Sequence, residues 1–98
     1  MTEKIPTLQE KMARQIVLLG DESYTKRISQ ELDISLHLVH RTGTHLMQRG
    51  WVTKNIIKLD GIKQIFWTIR PNKIKYIIEK LKEGFGEDDL AVSRFRGL

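Results

Sequence analysis

Residues 33–52 read DISLHLVHRTGTHLMQRGWV and predict a helix that ends on a glycine and leads straight into a β-strand. Ser35 is suited to cap this helix, because its hydroxyl can accept a hydrogen bond from an otherwise unpaired first-turn N–H. Gly50 is suited to end it, because glycine adopts the left-handed conformation at low cost. Successive residues of an α-helix are rotated by about 100°. This rotation places four residues on one side, which is expected to face a core: Leu36, Val39, Gly43 and Leu46. The opposite side is polar and cationic: His37, Leu38, Arg41, His45 and Gln48.

A β-hairpin is predicted directly after this helix. Asp60-Gly61 separates two β-rich runs by two residues, as a type I′ turn requires. The resulting register pairs Val52 with Ile69, Lys54 with Trp67, Ile56 with Ile65, Lys58 with Lys63 and Leu59 with Ile62. One face is assigned to the core: Val52, Ile56, Ile65, Trp67 and Ile69. The other face is more apolar than a free hairpin should be, so a partner subunit or a twist of the hairpin is needed to cover it; its members are Ile57, Leu59, Ile62 and Phe66.

Two helices are predicted before residue 33. The first covers residues 8–19, since Thr7 and Glu10 form a capping-box pattern ahead of an apolar stripe. The second covers residues 25–32, with Thr25 as its cap. A short turn then separates it from the helix after Ser35, as in helix-turn-helix units.

Beyond the hairpin the sequence predicts one more helix and a tail. The helix covers residues 71–84, starting at Pro71, and shows an apolar stripe about 100° wide. Residues 85–98 begin FGEDD, directly after Gly84, and are expected to be a flexible tail. A chain of 98 residues has room for one domain, which we place at residues 1–84.

The helix after Ser35 carries four features together: the cap serine, Val39-His40-Arg41, Leu46, and Gly50 followed by two apolar residues. With YTKRISQEL at residues 24–32 and IFWTI at residues 65–69, this pattern resembles the winged helix-turn-helix domains of prokaryotic transcription regulators. The multiple-antibiotic-resistance and arsenical-resistance repressor families are examples, and an archaeal or archaeal-viral source would suit the Ile- and Lys-rich composition. The resemblance covers about residues 8–84. It implies an α+β fold with a three-helix core, a β-hairpin wing and an added C-terminal helix.

The same resemblance implies that the helix after Ser35 enters the major groove of double-stranded DNA. Side chains expected to contact bases are His37, Leu38, Arg41, Thr42 and His45. Arg41 is suited to a bidentate contact with guanine, and Leu38 to a thymine methyl group. Ser35 and the helix N-terminus are expected to lie on a phosphate. The wing is expected to add three cations: Lys54, Lys58 and Lys63.

Gly43 departs from the resembling families, which usually have a large aliphatic residue at this place. Glycine inside a helix costs roughly 0.5–1 kcal/mol relative to alanine. We therefore expect either a neighbour that packs very close to Gly43 or a bend in the helix.

The positive charge is concentrated where the resemblance places DNA. The chain has a net charge of +5, and residues 35–70 alone carry six Lys or Arg against one Asp. A local basic patch is what a phosphate-facing surface requires, although a basic patch can also serve solubility alone. Lys58 and Lys63 lie directly opposite each other near the hairpin tip, which is unfavourable without an anionic partner, unless the two ammonium groups splay into water.

A homodimer is expected from two apolar stripes that a chain of this size has little core to bury. The stripes lie on the first and last helices: Leu8, Met12, Ile16, Ile74, Ile77, Ile78 and Leu81. The alternative is that both helices pack only within their own domain.

Several classes of protein are disfavoured. The chain has no cysteine, no run of about 20 apolar residues for a membrane span and no apolar leader at its start, so a cytoplasmic location is expected. His37 and His40 are spaced to share a metal but lack a third ligand, and no catalytic motif occurs, so neither a cofactor nor enzyme activity is expected. The favoured function is a dimeric, sequence-specific regulator. The alternatives are an architectural protein that binds DNA of any sequence and a winged-helix module that binds protein.

Overall fold

Four helices and one two-stranded antiparallel sheet form the computed structural model, which describes residues 7–85 and their side chains as far as Lys82. The elements in chain order are α1 (Leu8–Leu19), α2 (Thr25–Leu32), α3 (Leu36–Gln48), β1 (Val52–Leu59), β2 (Ile62–Ile69) and α4 (Ile74–Phe85). Short 3₁₀ turns at Gly20–Glu22 and Pro71–Lys73 lead out of α1 and into α4. This is the predicted order of elements. The expected tail, apart from Phe85, lies outside the described residues.

Most helix ends lie where the local signals predict them. The Thr7 hydroxyl accepts from the backbone N–H of Glu10 at 3.2 Å, and Glu10 Oε1 accepts from the backbone N–H of Thr7 at 3.3 Å. Gly50 follows α3 with a φ of 76°, in the left-handed region. The prediction that Thr25 caps α2 is wrong. The N-cap is Tyr24, whose side chain makes no capping bond, because the Thr25 hydroxyl turns inward toward β2.

The hairpin has the predicted register along its whole length, from Val52 opposite Ile69 to Leu59 opposite Ile62. Asp60 and Gly61 have φ values of 53° and 79°, as the two central residues of a type I′ turn require. The inward face is buried at its base but not at its tip. Ile56, assigned to the core from sequence, is 60% exposed, because the strands extend past the last helical residue that could cover it.

The core joins residues of all four helices and the base of the hairpin: Met12, Ala13, Ile16, Ile28, Val39, Leu46, Trp51, Val52, Trp67, Ile69, Ile77 and Leu81. Four of these were expected in a dimer interface: Met12, Ile16, Ile77 and Leu81. That expectation is wrong for these four, because α1 packs against α4 within one chain and leaves each of them 2% exposed or less. Leu8, Ile74 and Ile78 are only partly buried.

The described helices are short. The longest, α3, has 13 residues, whereas a helix needs about 20 apolar residues to span a bilayer. Within residues 7–85, none combines the length and the apolar character of a membrane-crossing segment.

Candidate nucleic-acid interface

Helix α3 presents a continuous polar row to solvent. Ser35 caps it, and the Ser35 hydroxyl accepts from the backbone N–H of Leu38 at 3.1 Å. Val39 and Leu46 are fully buried on the inward side. The exposed row on the opposite side follows the helical spacing of four, three and four residues: His37, Arg41, Thr44 and Gln48.

The inward face of α3 is rotated from the predicted one, and two residues change sides. Thr42, expected to contact bases, is only 4% exposed and lies within the domain. Leu36, expected in the core, is 51% exposed. Leu38 and His45, also expected to contact bases, are partly buried and flank the exposed row. The prediction for Thr42 is therefore wrong, and Leu38 and His45 lie at the edge of the surface rather than at its centre.

Gly43 stays on the inward face, as predicted, and lies against the indole of Trp67 on β2. A Cβ placed on Gly43 would lie 2.7 Å or less from three atoms of the six-membered ring of Trp67. Real Cβ atoms essentially never approach a neighbour that closely. Of the two explanations expected for Gly43, close approach of a neighbour is the correct one, and the neighbour is a side chain. Helix α3 therefore rests on Trp67 at Gly43.

Trp67 is held in this place from three sides. Its indole N–H donates to the hydroxyl of Thr25 at 2.9 Å, and its backbone N–H donates to the carbonyl of Ser23 at 3.0 Å. The Ser23 hydroxyl donates to the backbone carbonyl of Trp67 at 2.6 Å, and the Thr25 hydroxyl donates to the carbonyl of Ile65 at 3.2 Å. These bonds tie the start of α2 to β2. The hairpin and the α2–α3 pair are thereby joined as one unit.

The cations predicted to meet DNA are exposed on this unit. Arg41, Lys54, Lys58 and Lys63 all reach solvent, and none has a hydrogen-bond or ion-pair partner among the described residues. Lys58 and Lys63 are paired across the strands at the hairpin tip, as predicted. Two like charges in that position repel each other, so a negatively charged partner at the tip would relieve an existing cost.

Two residues of this surface, Thr44 and Arg49, were not singled out from the sequence. Thr44 completes the row of Arg41 and was recognisable by its spacing from it. Arg49 follows α3, and its guanidinium lies 3.9 Å above the ring of Trp51 while donating to Gln9 Oε1 at 2.9 Å. Because its guanidinium is held by Trp51 and Gln9, we assign Arg49 to structure rather than to the exposed row.

No family model and no curated protein matches this chain, whereas several solved structures do. A point mutant of ZitR from Lactococcus lactis superposes with a TM-score of 0.61 and 18% identity, over 99% of this chain and 65% of that one. A second ZitR mutant, in complex with DNA, superposes with a TM-score of 0.54 and 16% identity, over 95% of this chain and 68% of that one. A possible transcriptional regulator from Methanosarcina mazei Go1 superposes with a TM-score of 0.52 and 21% identity, over 87% of this chain and 73% of that one.

The fold is a winged helix. In this fold α2 and α3 form the helix-turn-helix and the β1–β2 hairpin forms the wing. This chain spans about two thirds of the ZitR chain that it matches, and at identities of this size the likeness concerns the fold. What the winged helix of this chain binds has to be argued from its own surface.

Proposed function

We propose that this protein is a sequence-specific double-stranded DNA-binding transcriptional regulator that acts in the cytoplasm. The observation that carries the proposal is the exposed row on α3, with Arg41 at its centre and no partner for Arg41 among the described residues. A helix of about 10–12 Å diameter fits the major groove, where each base pair shows a distinct pattern of donors and acceptors. His37, Thr44 and Gln48 add hydrogen-bonding groups on the same face.

Within this proposal, α3 and the wing have different tasks. Arg41 projects from the middle of α3, where its guanidinium can donate two parallel hydrogen bonds to guanine. Lys58 and Lys63 project from the wing tip, where an ammonium group acts as a point charge on phosphate or in the minor groove. Ser35 and the exposed N-terminus of α3 supply backbone N–H groups for a further phosphate. The ZitR structure with DNA supports a winged helix of this shape as a DNA-binding unit.

Variants that separate these tasks test the proposal. Arg41→Ala should cost about 1–3 kcal/mol on a selected site and far less on random duplex, because only base contacts depend on sequence. Lys58→Ala with Lys63→Ala should weaken both duplexes equally and lower the slope of log affinity against log salt by roughly two. Fluorescence anisotropy across a salt series measures both quantities on a site selected from genomic fragments.

Lys11→Ala is the matched control, because it removes the same charge from the exposed side of α1, and α1 packs on the inward side of α3. It should leave affinity nearly unchanged. Equal losses on both duplexes for Arg41→Ala would mean that α3 does not read sequence and that the protein is architectural. Unchanged binding in all variants would mean that this surface does not face DNA.

We also propose that the protein acts as a homodimer, since two copies on adjacent half-sites gain affinity from each other. With the core residues of α1 and α4 already buried and Ile74 lining a groove, the predicted contact residues that remain for a dimer are the partly buried Leu8 and Ile78. One observation favours a different function, a module that binds protein. The outer wing face exposes three large aliphatic side chains: Ile57, Leu59 and Ile62.

A further inference from the structure

A groove of about 550 Å³ opens beside Trp67, and none of its lining residues belongs to α3. Its walls are the end of α1, the outer face of the wing and the start of α4. Most lining side chains are apolar and include Ile16, Val17, Ile57, Phe66, Ile69 and Ile74. A volume of this size lies within the range of about 300–1,000 Å³ typical of small-molecule sites, which are mostly apolar with a few polar groups.

The polar groups of the groove differ in whether they are free to bind a ligand. The Ser23 hydroxyl already donates to the carbonyls of Gly20 and Trp67, and Asn55 donates to Thr68 at 3.4 Å. Asp21 differs from them. It is the one charged residue among the described residues that line the groove, it is exposed, and no described residue pairs with it.

The end of α1 reinforces the negative charge of Asp21. A helix C-terminus carries about half a negative charge on its unpaired carbonyl groups, and a basic residue in the last turn would offset it. The last turn of α1 has no basic residue. Gly20, which follows that turn, lines the groove beside Asp21. One end of a mostly apolar groove is thus negative, on a protein whose net charge is +5.

We propose that this groove binds a lipophilic cation, meaning a drug-sized organic molecule with an apolar body and one positive charge. The body would lie between Val17, Ile57 and Ile74, and the charge would lie at the end formed by Asp21 and α1. The groove also borders Trp67, whose indole supports α3 at Gly43. Any effect of the cation on DNA affinity through that contact rests on the proposed function, whereas the binding itself does not.

Two probes of the same shape and opposite charge test the proposal on the full chain: tetraphenylphosphonium and tetraphenylborate, each followed by isothermal titration calorimetry. The cation should bind about fivefold more tightly than the anion, the upper range for one exposed ion pair. The comparison is stringent, because the net charge of +5 attracts the anion to every other surface of the protein.

Asp21→Asn should remove the preference for the cation without changing the fold, since Asp21 is exposed. Glu22→Gln is the matched control, because Glu22 lies one residue further, outside the groove lining and 4.0 Å from Arg27. It should retain the preference. Val17→Phe, with its fold checked by circular dichroism, should abolish binding of the cation by filling the groove.

Three results would overturn the proposal: equal binding of both probes, binding of neither, or a preference for the cation that survives Asp21→Asn. Cation binding that weakens as protein concentration rises would mean that a second copy of the chain occupies the groove, which also counts against it. Because calorimetry is done without DNA, failure here leaves the DNA-binding proposal standing, and failure of the Arg41 experiment leaves this one standing.

Discussion

Replacement of Gly43 by alanine should destabilise the protein, against the usual direction of such a change inside a helix. In an open helical position, Gly→Ala stabilises by roughly 0.5–1 kcal/mol. Here the new methyl group would lie 2.7 Å or less from three ring atoms of Trp67. That ring cannot turn away cheaply, since Trp67 is 1% exposed and its indole N–H is bonded to Thr25.

The size of the effect follows from these two opposing contributions. Overpacking of a filled core costs about 1–3 kcal/mol, and an overlap this deep lies in the upper half of that range. Subtracting a helix-propensity gain of about 1 kcal/mol leaves a net loss of about 1–2 kcal/mol in the free energy of unfolding. For a domain of this size the melting temperature should fall by roughly 5–15 °C. Urea and thermal unfolding followed by circular dichroism measure both quantities.

A double-mutant cycle with Trp67→Phe identifies the cause. Phenylalanine lacks the three ring atoms that the new methyl group would meet, so Trp67→Phe alone should destabilise through a cavity and a lost hydrogen bond. In that background Gly43→Ala should become neutral or stabilising, giving a coupling energy of about 2 kcal/mol. Gln48→Ala, at an exposed site of α3, is the control and should change stability by less than about 0.5 kcal/mol. An equal effect of Gly43→Ala in both backgrounds would refute the reasoning.

Three further outcomes are expected. Thr25→Val should cost about 1–3 kcal/mol, because it leaves the buried indole N–H of Trp67 without an acceptor; Thr25→Ser should restore most of the loss in a thermal melt, and a neutral valine variant would contradict the role of this hydroxyl. Gly61→Ala should lower the melting temperature, since Gly61 has a φ of 79° and a left-handed alanine costs roughly 1–2 kcal/mol; an unchanged melt would argue against the type I′ turn. Sedimentation equilibrium should show that Ile78→Glu dissociates the proposed dimer, whereas Ile77→Ala, at a fully buried site, should lower stability by about 2–5 kcal/mol without changing the subunit count; a wild-type monomer at micromolar concentration would remove the dimer from consideration.

Local sequence signals were sufficient for the hairpin and for the ends of most helices. The whole register follows from Asp60-Gly61, because a two-residue turn leaves one way to pair the strands and side chains alternate between faces. The caps at Thr7 and Ser35 likewise depend on residues within three positions. Such signals involve neighbours in the chain, so a single sequence contains all of their causes.

Contacts between distant parts of the chain were less accessible. Thr42 was assigned to the outer face of α3, because the helical pattern alone does not show how far round the helix the core reaches. The core residue Trp67, for example, packs on Gly43 from a strand that begins 14 residues after the end of α3. In the same way, an apolar stripe on α4 shows that Ile77 is covered but not whether its own α1 or a second subunit covers it. Gly43 was the exception, since a missing side chain predicted a close neighbour without naming it.

The contact between Trp67 and Gly43 also bears on how the protein folds. Residues 8–48 supply α1, α2 and α3, yet the space beside Gly43 is filled only by a residue of the last strand, 42 positions after its hydrogen-bond partner Thr25. During synthesis the three helices therefore lack a central part of their core until β2 has emerged, and loop closure over this distance precedes full stability.

Because Trp67 of the wing packs against Gly43 of α3, the wing cannot simply be replaced by the wing of another protein. A wing taken from another protein would bring a different side chain to the place of Trp67, against a helix whose glycine was suited to an indole. Recombination within this fold would preserve folding only where the glycine of α3 and the tryptophan of β2 were inherited together. A graft designed to change the phosphate contacts of Lys58 and Lys63 should accordingly replace the hairpin tip alone and leave residues 65–69 intact.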